Sequence, residues 1–436
     1  MRKISRRGLI KQATVLGVTA PIAITAGPGS VLAWTATAGT GSHPTEQNRP
    51  VCPQGAPPES ASFIDPTVMI SGAENITLDQ LVYIAPFARL FASSDAGIHI
   101  GAESNAQDNA TILSTYQRDD DSRKRIAALG LHEQDGVQIG EQCILAHGAT
   151  VKGPAVLGAG HDPHPQVFLS FGAEVDGAIL ERNTQVSQRG RVGPGVRLRS
   201  GFVVLPGKNV TTQEEADNVQ LGKVRLIVEG DMIFAEAVIE VNISFAREYT
   251  RLFYDRPSNV RGINYNPGHS SFNETRSLPT LSGVQTRLPS FRNRIIGAVT
   301  LADTLDRLSG VMGERIALRA DEGTPFLVGH VQQMDDNVIF HALEHTDLHL
   351  GNNITYGEQV LVHGGVGTTP SGGPLPTVID DHVTLKDQSI VFQSHVGSGC
   401  VIGEKSVVLN SVLAPGTVIP DRVVYRNGVI FGAVEW

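Results

Sequence analysis

The chain has 436 residues, with 35 Lys and Arg against 44 Asp and Glu, and a formal net charge of −9. That balance excludes a general phosphate-backbone binder, and three cysteines, Cys52, Cys143 and Cys400, exclude a disulfide framework and a closed four-cysteine zinc site. A hydrophobic fraction of 41% suffices for a packed core, while 47 glycines, 6% aromatic and 18% charged residues favour turn-dense β structure over helix bundles.

Residues 1–38 read as an address. They hold Arg2, Lys3, Arg6, Arg7 and Lys11 and no acid, then a mildly apolar run from Ala13 to Thr25, then small residues at Ala33, Ala36 and Ala38. Paired arginines before a weak apolar stretch resemble a bacterial twin-arginine signal, which predicts export to the periplasm or the exterior. An ordinary secretory signal is the alternative. The apolar run is shorter than the ~20 residues a membrane helix needs, and no later segment is long and apolar enough, so no span is expected in the mature chain. Residues 39–80, rich in Gly, Ser and Pro, read as a linker and lead-in.

From there aliphatic residues recur every six positions: Ile139, Leu145, Val151 and Leu157; then Leu180, Val186, Val192, Leu198 and Val204; and late in the chain Ile390, Val396, Ile402 and Val408. A period of six fits neither the 3.6-residue helix nor simple alternation. It fits a triangular coil of three short strands, about 18 residues per turn, with one aliphatic side chain per face pointing inward and glycine at strained corners. The predicted fold is all-β: two left-handed parallel β-helices, over 81–222 and 291–436. Between them, 223–290 holds an amphipathic helix over 232–253, at the spacing of Phe234, Ala237, Val238, Val241 and Phe245, and a Pro- and Gly-rich linker.

The second block contains Arg319-Ala-Asp-Glu-Gly-Thr-Pro325, then His341-Ala-Leu-Glu344, then Gly351-Asn-Asn353 followed by Val362-His-Gly364. These ordered strings resemble the γ-class carbonic anhydrases. The first block matches the same family through Tyr83-Ile-Ala-Pro, Asn105 with Gln107 and Asp108, and Ile139 to Gly148. The resemblance implies a catalytic zinc, with iron or cobalt as alternatives, held by three histidines. Two come from adjacent coils of one β-helix and the third from a neighbouring β-helix. In the second block the same-helix ligands match His341 and His363, and the donated position holds Glu358. In the first block the same-helix positions hold Leu113 and Lys152, which cannot form such a site, while the donated position is His147.

Two arrangements follow. Either the first block lends His147 to His341 and His363, or second blocks associate and Glu358 is the third ligand. Two histidines and a carboxylate also make a competent zinc site, but the complementary losses favour the first arrangement. His341 and His363 stand 22 residues apart, one coil plus a bulge near Glu344–His349, which stacks them on successive coils; Glu358, five residues before His363, turns a corner away from it. The resemblance assigns proton handling to Glu322 and Glu344 and site organisation to Arg319 and Asp321. It implies reversible hydration of carbon dioxide to bicarbonate by a metal-activated water, in a homo-oligomer with sites between β-helices. Where the family carries Asn-x-Gln-Asp, the second block has Gln333, Asp335 and Asp336, which predicts an extra acid near the metal. The helix bearing Asn242 follows only the first block, so that asparagine must come from there. A non-catalytic metal-binding or assembly scaffold is the second expectation, and a hexapeptide acyltransferase the third.

Overall fold

The structure, a computed structural model, describes residues 41–44, 48–255, 257–260, 293–297, 299–343, 346–369 and 371–436. The export signal, most of the linker between the blocks, and Glu344 lie outside the described residues. Two parallel β-helices account for most of the remainder. In the first, every third strand pairs with its predecessor and successor, giving sheets of eight, seven and six strands; in the second the sheets have eight, six and five. The six-residue period is the cause. Ile64, Ile84, Ala106, Leu145, Leu169, Val186 and Val204 stack in register down one sheet, and all are buried. Each fully buried large aliphatic side chain contributes roughly 1.5–3 kcal/mol, so the columns hold strands of two or three residues that would not persist alone.

The first β-helix begins earlier than the predicted residue 81. Strands Phe63–Ile64, Met69–Ser71 and Ile76–Leu78 already belong to its three sheets. Ile64, Ile70 and Ile76 keep the six-residue step, but the next step is eight, to Ile84, and the Pro- and Gly-rich neighbourhood masks it. The antiparallel strand Val224–Leu226 closes this β-helix, and a hairpin of Val423–Arg426 with Val429–Ala433 closes the second.

Helix α1 (Asp120–Ala128), capped by the Asp119 side chain, fills the insertion that interrupts the repeats after Leu113. Helix α2 (Gln213–Asp217) starts on a Thr212 capping box. The long helix α3 (Glu229–Asp255), predicted over 232–253, lies along the first β-helix against strands Phe63–Ile64, Tyr83–Ile84 and Ile144–Leu145. No helix among the described residues is long and apolar enough to cross a membrane.

The two β-helices join along an apolar seam in which Ile144, Phe168 and Phe171 meet Ile339, Leu361, Ile390 and Phe392. Buried ion pairs flank it: Arg319 with Asp108 at 2.6 Å and Arg294 with Asp65 at 2.9 Å. At the C-terminus the Trp436 indole donates to the Arg189 carbonyl at 2.8 Å, tying the end of the second β-helix to the first.

Candidate metal centre

Strand register builds one half of the site. Arg319, His341, His363 and Phe392 pair in sequence down the eight-stranded sheet of the second β-helix. Their neighbours Leu318, Phe340, Val362 and Val391 point into the core, so alternation turns this column outward. The other half comes from a corner of the first β-helix. His147 follows strand Ile144–Leu145, and Gly148, at φ +70°, turns the chain immediately after it. That left-handed angle favours glycine, and it fixes the corner that carries His147 toward the outward column.

His147, His341 and His363 are brought together, all buried, with one ring nitrogen from each lying within 4.8 Å of the others. His147 Nε2 is 3.0 Å from His341 Nδ1. His363 Nδ1 donates to the Gly364 carbonyl at 2.7 Å, which leaves its Nε2 lone pair free. His147 Nδ1 lies 2.9 Å from Asp108 Oδ2, at ion-pair distance but off the line of a good hydrogen bond. Phe171 stacks on His363 at 4.7 Å between ring centroids. Burial, then the Arg319 guanidinium, hold His341 well below the ordinary histidine range. Burial, then His147, bring His363 down to about 3. Both rings are therefore neutral at pH 7, the form that binds metal.

These residues fit a metal. Nitrogens bound at ~2.0–2.1 Å to one tetrahedral ion stand about 3.3 Å apart, between the 3.0 Å pair and the 4.8 Å limit of the trio. Three imidazoles suit zinc or iron and suit hard cations poorly. At the trio, His341 Nε2 and, beside His147, Asp108 Oδ1 are buried without a hydrogen bond. Such orphans are rare in a folded interior and call for an ion or water as partner.

Arg319 is buried and joins the halves. Its Nη1 donates to Asp108 and its Nη2 to Asp321 at 2.7 Å, and its guanidinium lies 5.0 Å from the centre of the Phe245 ring on α3. The Tyr249 hydroxyl, one helical face along, donates to Asp321. Burial works against the Asp108 carboxylate, but Arg319 and His147 outweigh it and bring the carboxyl down to about 2. Glu322 Oε2 stands 3.5 Å from His341 Nε2. A cavity of about 30 Å³, large enough for a water or two, is lined by the three histidines, Gln107, Glu322, Asn242 and the apolar side chains Phe171, Phe234 and Leu343. Asn242 reaches it from α3, donating to Val238 O at 2.8 Å.

Other predicted residues lie elsewhere. Glu358 is exposed and stands 3.5 Å from Asn337 Nδ2, outside the trio; the third nitrogen within the chain is that of His147. The expected extra acid near the metal is not there: Asp336 pairs with Arg315 at 2.6 Å, Asp335 accepts from Gln333, and neither lines the cavity. Those positions sit on a different face of the coil from the histidine column. Leu113 and Lys152 do pair in register on adjacent coils of the first β-helix, the counterpart of the histidine pair. There Lys152 bonds Glu174, and Arg118 and Arg191 share Asp176, so an ion-pair network stands in place of ligands. Asp108, Tyr249 and Phe171 also belong to the site, beyond the residues expected from the sequence. Asp108 was visible in the Asn105–Asp108 string, and Tyr249 lies two helical turns from Asn242; nothing in the sequence pointed to Phe171.

No family model matches the chain. It is 29% identical over 214 residues to a carbonic anhydrase of Methanosarcina thermophila, a match spanning 47% of this chain and 80% of that protein. It is 28% identical over 96 residues to the carboxysome assembly protein CcmM of a Nostoc species, spanning 20% of this chain and 15% of that one. Among solved structures, a hexapeptide transferase family protein from Anaplasma phagocytophilum matches 42% of this chain and 90% of its own, at 17% identity and a TM-score of 0.19.

Proposed function

We propose that the chain is a γ-class carbonic-anhydrase-like enzyme that interconverts carbon dioxide and bicarbonate at one metal centre per chain, held by His147, His341 and His363. The observation that carries the proposal is the meeting of these three buried imidazoles across the join of two β-helices. The likeness to the Methanosarcina carbonic anhydrase supports the substrate. Zinc is the first expectation, with iron or cobalt as alternatives. The bound metal supplies Lewis acidity that makes water nucleophilic near neutral pH.

The chain's own groups do the rest. Asp108 orients His147 and is itself fixed by Arg319, so the donated ligand is braced from the β-helix that receives it. Glu322, 3.5 Å from His341, takes the proton released in hydration and passes it toward solvent. Phe171, Phe234 and Leu343 wall the cavity with apolar surface suited to an uncharged linear gas and exclude bulk water. We further propose export through the paired-arginine leader and assembly into a homo-oligomer.

A second reading, a scaffold of the same fold, is favoured by two observations: the first block holds ion pairs where its own ligands would stand, and the chain shares a stretch with an assembly protein. Metal analysis followed by stopped-flow hydration of carbon dioxide separates the two. Enzymatic function predicts one metal per chain and turnover that follows metal content. Fully metallated protein without turnover leaves the scaffold.

A further inference from the structure

Among the described residues three arginines are buried at the join, and two of them have carboxylate partners. Arg294 pairs with Asp65, and Arg319 with Asp108 and Asp321. Arg189 has none. Its side chain comes from the first β-helix and is 8% exposed; one terminal nitrogen donates to the Gln388 carbonyl of the second, and its Nε, also buried, makes no hydrogen bond. Burial alone brings its guanidinium down to about 10, with no carboxylate opposing the shift. Leaving a charge buried and unpaired is costly, so such groups are found paired.

Arg189 lines a cavity of about 130 Å³ between the β-helices, distinct from the small cavity described above, although His147 borders both. A second arginine, Arg89, lines the same space, half-buried, with Nη2 donating to Asn337 Oδ1 at 3.2 Å. Asn109, Asn337 and exposed Gln359 add amide groups, and Asn109 Oδ1 is a buried orphan. Among the described residues no carboxylate lines the cavity. Glu358 acts on Arg89 from outside it, and Arg315 opposes Arg89 as a like charge. The volume far exceeds the ~10–15 Å³ one water requires.

We propose that this cavity binds a small planar oxyanion of the bicarbonate class, with Arg189 as the buried anchor and Arg89 at the entrance. Two guanidiniums present forked donors to carboxylate-like oxygens, the amides complete the shell, and the anion supplies the charge that Arg189 lacks. The site does not depend on the metal reading, and the experiment is done on chelator-stripped protein so that failure of one leaves the other standing. Isothermal titration with sodium bicarbonate at constant ionic strength is expected to give saturable binding of one ion per chain, displaced by nitrate, a planar monoanion. Arg89→Gln, which removes a half-buried group, is expected to weaken binding about tenfold or more. Arg189→Gln is expected to abolish it wherever that variant folds. Absence of saturable binding in the wild type, an unchanged affinity in Arg89→Gln, or phosphate binding more tightly than bicarbonate would overturn the proposal.

Discussion

Replacing Asp108 by asparagine tests the join between the two β-helices with almost no change of shape. Asp108 is fully buried, accepts from Arg319 of the other β-helix at 2.6 Å and faces His147 at 2.9 Å. Its carboxyl is held near pH 2 against an ordinary 3.8. That difference corresponds to about 2–3 kcal/mol of stabilisation at neutral pH. Because the folded value is depressed, this stabilisation is complete above 3.8 and is lost as pH falls through 2. Removing one partner of a buried pair costs ~3–5 kcal/mol when the other is left alone. Here Arg319 keeps Asp321, so Asp108→Asn is expected to cost about 2–3 kcal/mol. Denaturant unfolding followed by fluorescence of Trp436, whose indole bonds across the join, measures it. The gap between wild type and variant is expected at pH 7 and to close as pH approaches 2. A difference below about 0.5 kcal/mol at pH 7, the level of an ordinary surface substitution, would refute the assigned role of the pair. The same change is expected to weaken metal binding roughly 10–100-fold, as loss of a group behind a ligand does.

His147→Ala is expected to abolish stoichiometric metal in elemental analysis, while Glu358→Gln leaves it unchanged; the reverse pattern would move the site to contacts between second blocks. Glu322→Gln is expected to keep metal content and lower carbon dioxide hydration about 10²–10⁴-fold in low buffer, with partial recovery when small buffers carry the proton. In metal-stripped protein the depressed His363, near 3, and His341 make the unfolded chain the stronger proton binder below about 6.5. Stability is then expected to fall from pH 6.5 toward 3, by about 1.4 kcal/mol per pH unit for each such histidine; a flat profile in thermal melts over that range would contradict their burial as neutral rings.

The six-residue recurrence of aliphatic residues determined the β-helices on its own, because a side chain that must point inward once per face leaves its period in the sequence whatever else changes. The same holds for helix α3, whose apolar spacing predicted 232–253 against the observed Glu229–Asp255. The period is lost where coils take irregular steps, and so the first coils, from Phe63, read as linker. Spacing placed His341 and His363 on adjacent coils, since that relation is local to one β-helix. The third partner is not a local property. His147 is 194 residues from His341, and only the packing of one β-helix on the other brings their nitrogens to 3.0 Å and leaves Glu358 on the surface. The bracing of His147 by Asp108, of Asp108 by Arg319, and of Asp321 by Tyr249 was decided at the same level. These are contacts between elements whose separation along the chain carries no period, and their energies depend on burial that exists only once the two cores have met.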